Sequence, residues 1–118
     1  NRANALRRIL TQDFLKAFEN VDIILTPTTP APAFKIGEKT SDPVAMYLED
    51  IYTVAANLTS MPSIAFPAGM TQENLPLGML LTGERFSDEK LLEVLAGEWS
   101  RLLLYSQKGD LEMLASPF

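Results

Sequence analysis

Apolar residues recur at helical spacing in three stretches of this chain, and three other stretches have the density of strands. Leu6, Ile9, Leu10, Phe14, Ala17 and Phe18 repeat every three or four positions, which predicts an amphipathic helix over residues 2–19. Val21 to Leu25 is aliphatic and β-branched and predicts a short strand. Asp42-Pro43 opens a second helix, with Asp42 as N-cap and Pro43 at the first helical position. Val44, Tyr47, Leu48, Ile51, Ala55 and Leu58 then share one face, and the helix is expected to end near Thr59 or Ser60, ahead of Pro62. Ser63 to Pro67 and Leu77 to Thr82 predict two more strands, joined by AGMTQENLP, which is long for a tight hairpin. A third helix starts at Ser87 as cap, with Phe86 and Leu91 at staple positions. Leu91, Leu92, Val94, Leu95, Trp99, Leu102 and Leu103 carry it to about residue 104. Residues 105–118 form a weakly specified tail.

This order of elements predicts an α/β fold with three short strands and three helices. With 118 residues the chain is read as a single segment, 1–118, of one domain at the edge of a larger sheet. The stretch IILTP reads as a central strand covered on both faces. Pro27 ends it, because proline cannot donate to the ladder. Pro27, Pro30 and Pro32 then keep the loop over residues 26–42 extended. Loops leaving the carboxyl ends of such strands line ligand crevices, and prolines stiffen that wall at little entropic cost.

Charge and composition narrow the chemistry. The net charge of −5 argues against direct nucleic-acid binding, which draws its affinity from Lys and Arg. Arg2, Arg7 and Arg8 form the one basic cluster and read as a solvated helix face. The chain has no Cys and no His, so it offers no disulfide, thiolate, imidazole base or His-ligated metal. The lack of Cys is compatible with a reducing cytoplasm. No apolar run approaches a membrane span, and nothing resembles a signal peptide. The expected chain is therefore soluble and cytoplasmic, with no membrane partner.

Few motifs carry chemistry. Ser87-Asp88-Glu89-Lys90 matches the S-x-x-K pattern of serine hydrolases, but it reads as a helix cap with a charged first turn. Asp88 and Glu89 would hold Lys90 protonated and blunt it as a base. Asn57-Leu58-Thr59 is formally a glycosylation sequon. Gly69 and Gly78 read as turn or strand-bend residues rather than phosphate binders. On a continuous second helix with Val44 at zero, Glu49 falls at about 140° and faces solvent, while Asp50 falls at about 240°, Asn57 at about 220° and Val54 at about 280°. Asp50 and Asn57 then form a polar row beside the buried face. A carboxylate there can meet a ligand ammonium or cap a loop.

VDIILTPTTPAP, DPVAMYLED, NLTSMPSI and LPLG, in this order and spacing, resemble the C-terminal part of amidase-signature enzymes. Within that family they are similar to the A subunits of glutamyl-tRNA(Gln) amidotransferases. The similarity runs from about Arg7 to Trp99. It implies one large α/β/α domain around a twisted mixed sheet, and a Ser-cis-Ser-Lys triad that releases ammonia from glutamine. It also implies the amidotransferase B and C subunits as partners, with ATP and Mg²⁺ used by the B subunit on Glu-tRNA(Gln), so that tRNA is met indirectly. Another small amide is the alternative substrate, and a non-catalytic interaction module is the alternative class.

The Gly/Ser-rich signature, the catalytic Lys and the substrate-gripping arginine belong to the family's N-terminal half, and Arg7 and Arg8 sit too close to the IILTP strand to be that arginine. The resemblance therefore implies no catalytic residue, cofactor site or metal site in this segment, and no activity without its N-terminal remainder. It implies one substrate contact, Asp50, on the α-ammonium of glutamine. Leu80 stands where the family commonly has Gln, and Thr53-Val54-Ala55-Ala56-Asn57 replaces T-x-P-V-N. A piece of a larger sheet is also expected to expose apolar helix faces and strand edges.

Overall fold

The computed structural model describes residues 2–39 and 41–106, with side chains described through Gly97. Its elements are α1 (Arg2–Phe18), β1 (Ile23–Pro27), α2 (Pro43–Glu49), α3 (Thr53–Thr59), β2 (Ser63–Met70), β3 (Pro76–Gly83) and α4 (Asp88–Ser106). The α/β class holds, but the described residues carry four helices instead of three. The three strands form one antiparallel sheet in the order β1-β3-β2.

β1 differs from the sequence reading in both register and position. Val21 belongs to the exit turn of α1, where the Asn20 and Val21 N–H groups donate to the Ala17 carbonyl at 3.0 and 3.2 Å. These bonds satisfy the end of the helix, so pairing begins two residues later. The strand is also an edge of this sheet, and β3 is the central one. An apolar run signals burial on both faces but does not say which chain supplies the cover. Pro27 is the last residue of β1, paired opposite Met79, and Thr28 N–H adds one more bond to the Gly78 carbonyl at 3.0 Å.

β2 and β3 do form a hairpin. Both strands extend beyond the predicted limits, a bulge at Pro67–Gly69 absorbs a register shift, and the turn shrinks to residues 71–75. Thr71 holds this turn: its N–H donates to the Leu75 carbonyl at 2.8 Å, and its hydroxyl accepts from the Glu73 and Leu75 N–H groups.

The core lies where β3, α4 and the end of α3 converge. Ala56, Thr59, Met61, Leu80, Leu81, Thr82, Leu91 and Leu95 are buried. Leu80 and Leu81 are neighbours on β3 and point to opposite faces, so this part of the sheet is covered on both sides. A Cβ on Gly83 would lie 2.2 Å from Ser87 Oγ and 3.3 Å from Leu91, so glycine permits this close approach of α4. Phe86 is almost fully exposed at φ 65°, so it forms no staple with Leu91. The Ser87 carbonyl accepts the Leu91 N–H, but its hydroxyl turns back to the Glu84 carbonyl at 2.6 Å instead of capping the helix. Trp99, Leu102 and Leu103 lie outside the described side chains, and residues 107–118 lie outside the described residues.

The rest of the molecule is open. α1 and α2 bury no residue fully. Leu6, Ile9, Val44, Tyr47, Leu48 and Ile51 stay exposed, as expected for a piece of a larger sheet.

Candidate functional site

The segment around Asp50 is built from its two ends. Asp42 Oδ1 accepts the N–H groups of Val44 at 3.0 Å and Ala45 at 3.1 Å, and Pro43 follows it, as the sequence predicts. The helix then breaks over residues 50–52. No Pro or Gly marks this break. The Asp50 carbonyl accepts the Thr53 N–H at 3.1 Å, the Val54 N–H at 2.9 Å and the Thr53 hydroxyl at 3.2 Å. These three bonds to one carbonyl join the start of α3 to the end of α2.

Asp50 is thus the C-cap of α2 (φ −93°, ψ 6°) and not part of one continuous helical wheel with Asn57. The polar row expected along one flank is interrupted at the break. The Asp50 side chain is exposed, and among the described residues it joins no ion pair. It lines neither the open cleft beside α1 nor the hollow beside residues 71–75.

Glu49 departs further from the sequence reading. It does not face open solvent: its carboxylate pairs with Lys39, and the two side chains are only 16% and 22% exposed. Lys39 Nζ also lies 4.8 Å from the centre of the Phe34 ring. The pair therefore fastens the far end of the proline loop to the last turn of α2, next to Asp50. At its near end this loop is held by the Thr28 N–H, which donates to the Gly78 carbonyl at 3.0 Å, and Thr28 Oγ1 would lie 2.9 Å from a Cβ on Gly78. Gly78 is needed for that close approach more than for a bend. Ten positions separate Lys39 from Glu49, and no periodicity links a loop lysine to a helix glutamate.

The S-x-x-K motif does not assemble. Ser87 Oγ donates to the Glu84 carbonyl, and Lys90 Nζ reaches Asp22 Oδ1 at 2.6 Å. The hydrogen bond and charge of Lys90 hold the Asp22 carboxyl below its usual value. Among the described residues, no helix is long and apolar enough to cross a membrane, and no cluster of acidic, His or Cys side chains could hold a metal ion.

The amidase family model matches residues 1–92. The chain belongs to the amidase family. It is 55% identical over 93 residues to the A subunit of glutamyl-tRNA(Gln) amidotransferase from Coxiella burnetii, a match covering 79% of this chain and 19% of the relative. The protein of the same name from Acidobacterium capsulatum is 52% identical over 93 residues, covering 79% and 20%. The crystal structure of the Thermotoga maritima A subunit superposes with a TM-score of 0.67 at 44% identity, over 71% of this chain and 18% of that one. The chain thus spans about a fifth of the length of the curated relatives it matches. The amidase fold and the likeness to one component of an amidotransferase agree with the resemblance read from the motifs.

Proposed function

We propose that this chain is the C-terminal segment of the glutaminase subunit of a tRNA-dependent amidotransferase. In this reading the intact subunit hydrolyses glutamine, and the ammonia converts Glu-tRNA(Gln) to Gln-tRNA(Gln). The Ser-cis-Ser-Lys triad sits in the N-terminal remainder. The B subunit supplies the ATP- and Mg²⁺-dependent step and meets the tRNA, the C subunit holds the other two together, and the complex works in the cytoplasm. The observation that carries the reading is the identity of 55% and 52% to relatives named as the A subunit of this amidotransferase.

This segment supplies pocket wall and one ligand, the Asp50 carboxylate, for the α-ammonium of glutamine. The Asp50 side chain is exposed at a helix break and joins no ion pair among the described residues, so it is available to a ligand ammonium. The Lys39–Glu49 pair supports it too, by fixing the turn that carries Asp50. The test is ammonia release from glutamine by the full-length protein. Asp50→Asn is expected to raise KM for glutamine about tenfold or more, and an unchanged KM would overturn the assignment. This segment by itself should release no ammonia above a contaminant control.

A further inference from the structure

The fold gathers an arginine cluster that the sequence disperses. Arg7 and Arg8 lie on α1, and Arg85 lies in the turn between β3 and α4. Together they line one open cleft of about 410 Å³ between α1 and the end of α3. Among the described residues no Asp or Glu lines it, although the chain as a whole carries a charge of −5. Arg7 and Arg8 form no ion pair among the described residues.

We infer that this cleft binds a phosphate group. Arg85 is held in place: its Nε and Nη2 donate to the Thr59 carbonyl at 3.3 and 2.9 Å. That fork caps the last turn of α3, just before Ser60 in the left-handed conformation (φ 58°). The other guanidinium N–H groups of Arg85 stay unused and can face the cleft. Asn4, Gln12 and Ser60 add neutral polar groups to the wall, while the Thr11 hydroxyl is spent on the Arg7 carbonyl at 2.8 Å. Three guanidiniums with neutral donors suit a dianion with several acceptor oxygens better than a single carboxylate. The lining has no aromatic ring on which a base could stack, so the cleft is fitted to the phosphate and not to the rest of a nucleotide. The phosphate can belong to a small free ester or to an RNA backbone. This site is separate from Asp50 and does not depend on the glutaminase reading.

The test is calorimetric titration of the protein that carries this chain at full length, at low salt, with inorganic pyrophosphate and then with a short single-stranded RNA. Saturable pyrophosphate binding is expected, weakened about tenfold or more by the double variant Arg7→Gln/Arg8→Gln. Both positions are exposed on α1, so the fold is expected to tolerate the change. Arg2→Gln, on the same helix but outside the cleft, should bind like wild type. RNA binding that the double variant also weakens assigns the phosphate to a nucleic-acid backbone. Pyrophosphate binding without RNA binding assigns it to a small ester. Absent binding of both probes, or equal binding by the double variant and wild type, overturns the site.

Discussion

Leu80, Leu81 and Thr82 on β3 are 5%, 8% and 4% exposed, whereas Val44, Tyr47 and Leu48 on α2 are 66%, 77% and 53% exposed. Both stretches are apolar enough for a core. β3 finds its cover within this chain, from β1, β2 and α4. α2 finds an ion pair to a loop and little else. The difference separates two sources of order. The sheet centre is held by burial among its own elements, which is worth about 25 cal/mol per Å² of apolar surface. The flank bearing Asp50 is held by caps and a charge pair, and among the described residues its apolar face stays exposed.

The largest expected effect comes from breaking the sheet side. Leu91 is 2% exposed and fills the contact between α4 and β3, while its neighbour Leu92 is 58% exposed. Leu91→Ala is expected to destabilise the protein by about 2–5 kcal/mol. Leu92→Ala should cost about 0.5 kcal/mol or less if that face is also solvated in the full-length protein. Amide hydrogen exchange across β3 and α4 reads both. Equal losses from the two variants would show that the outer face of α4 is covered in the intact protein.

A smaller effect is expected on the flank. Removing Lys39 from the Glu49 pair, as Lys39→Met, should loosen the loop and the end of α2 by about 1 kcal/mol, because both side chains are mostly shielded. Faster amide exchange confined to residues 34–50, with β3 unchanged, is the expected pattern. An effect that spreads into β3 would merge the two regions that the structure separates.

The smallest effect concerns pH. The Lys90 hydrogen bond and charge lower the Asp22 carboxyl, so folding favours its ionised form. Any stabilisation is fully present above the ordinary aspartate range and is lost as pH falls through the lowered value. Both side chains are well exposed, so the change in stability is slight. NMR titration of the Asp22 carboxyl should show a depressed midpoint that returns to the ordinary range in Lys90→Met. An identical midpoint in both proteins would dissolve the pair.

Local signals in the sequence located most elements. The spacing of Leu6 to Phe18 placed α1 to within a residue, Asp42-Pro43 located the start of α2, and the apolar runs found all three strands. What escaped depends mostly on contacts between residues distant in the chain. The break after Glu49 carries no Pro or Gly, and apolar periodicity does not register it. The edge position of β1 depends on which strands share the sheet, and IILTP reads alike at an edge or a centre. Lys39–Glu49 and the meeting of Arg7, Arg8 and Arg85 join residues that only the fold brings close. Motif resemblance singled out Asp50, but its position at a helix break was not legible in the sequence.

The proposed ammonium contact of Asp50 is tested most sharply by comparing two ligands in the full-length protein. Calorimetry would follow L-glutamine and glutaramic acid, which keeps the amide and carboxylate but lacks the α-ammonium, binding to wild type and Asp50→Asn. An ammonium contact at Asp50 means that the substitution weakens glutamine about tenfold or more and leaves glutaramic acid unchanged. Equal weakening of both ligands, or no change in either, would contradict that contact and return Asp50 to a helix-capping role.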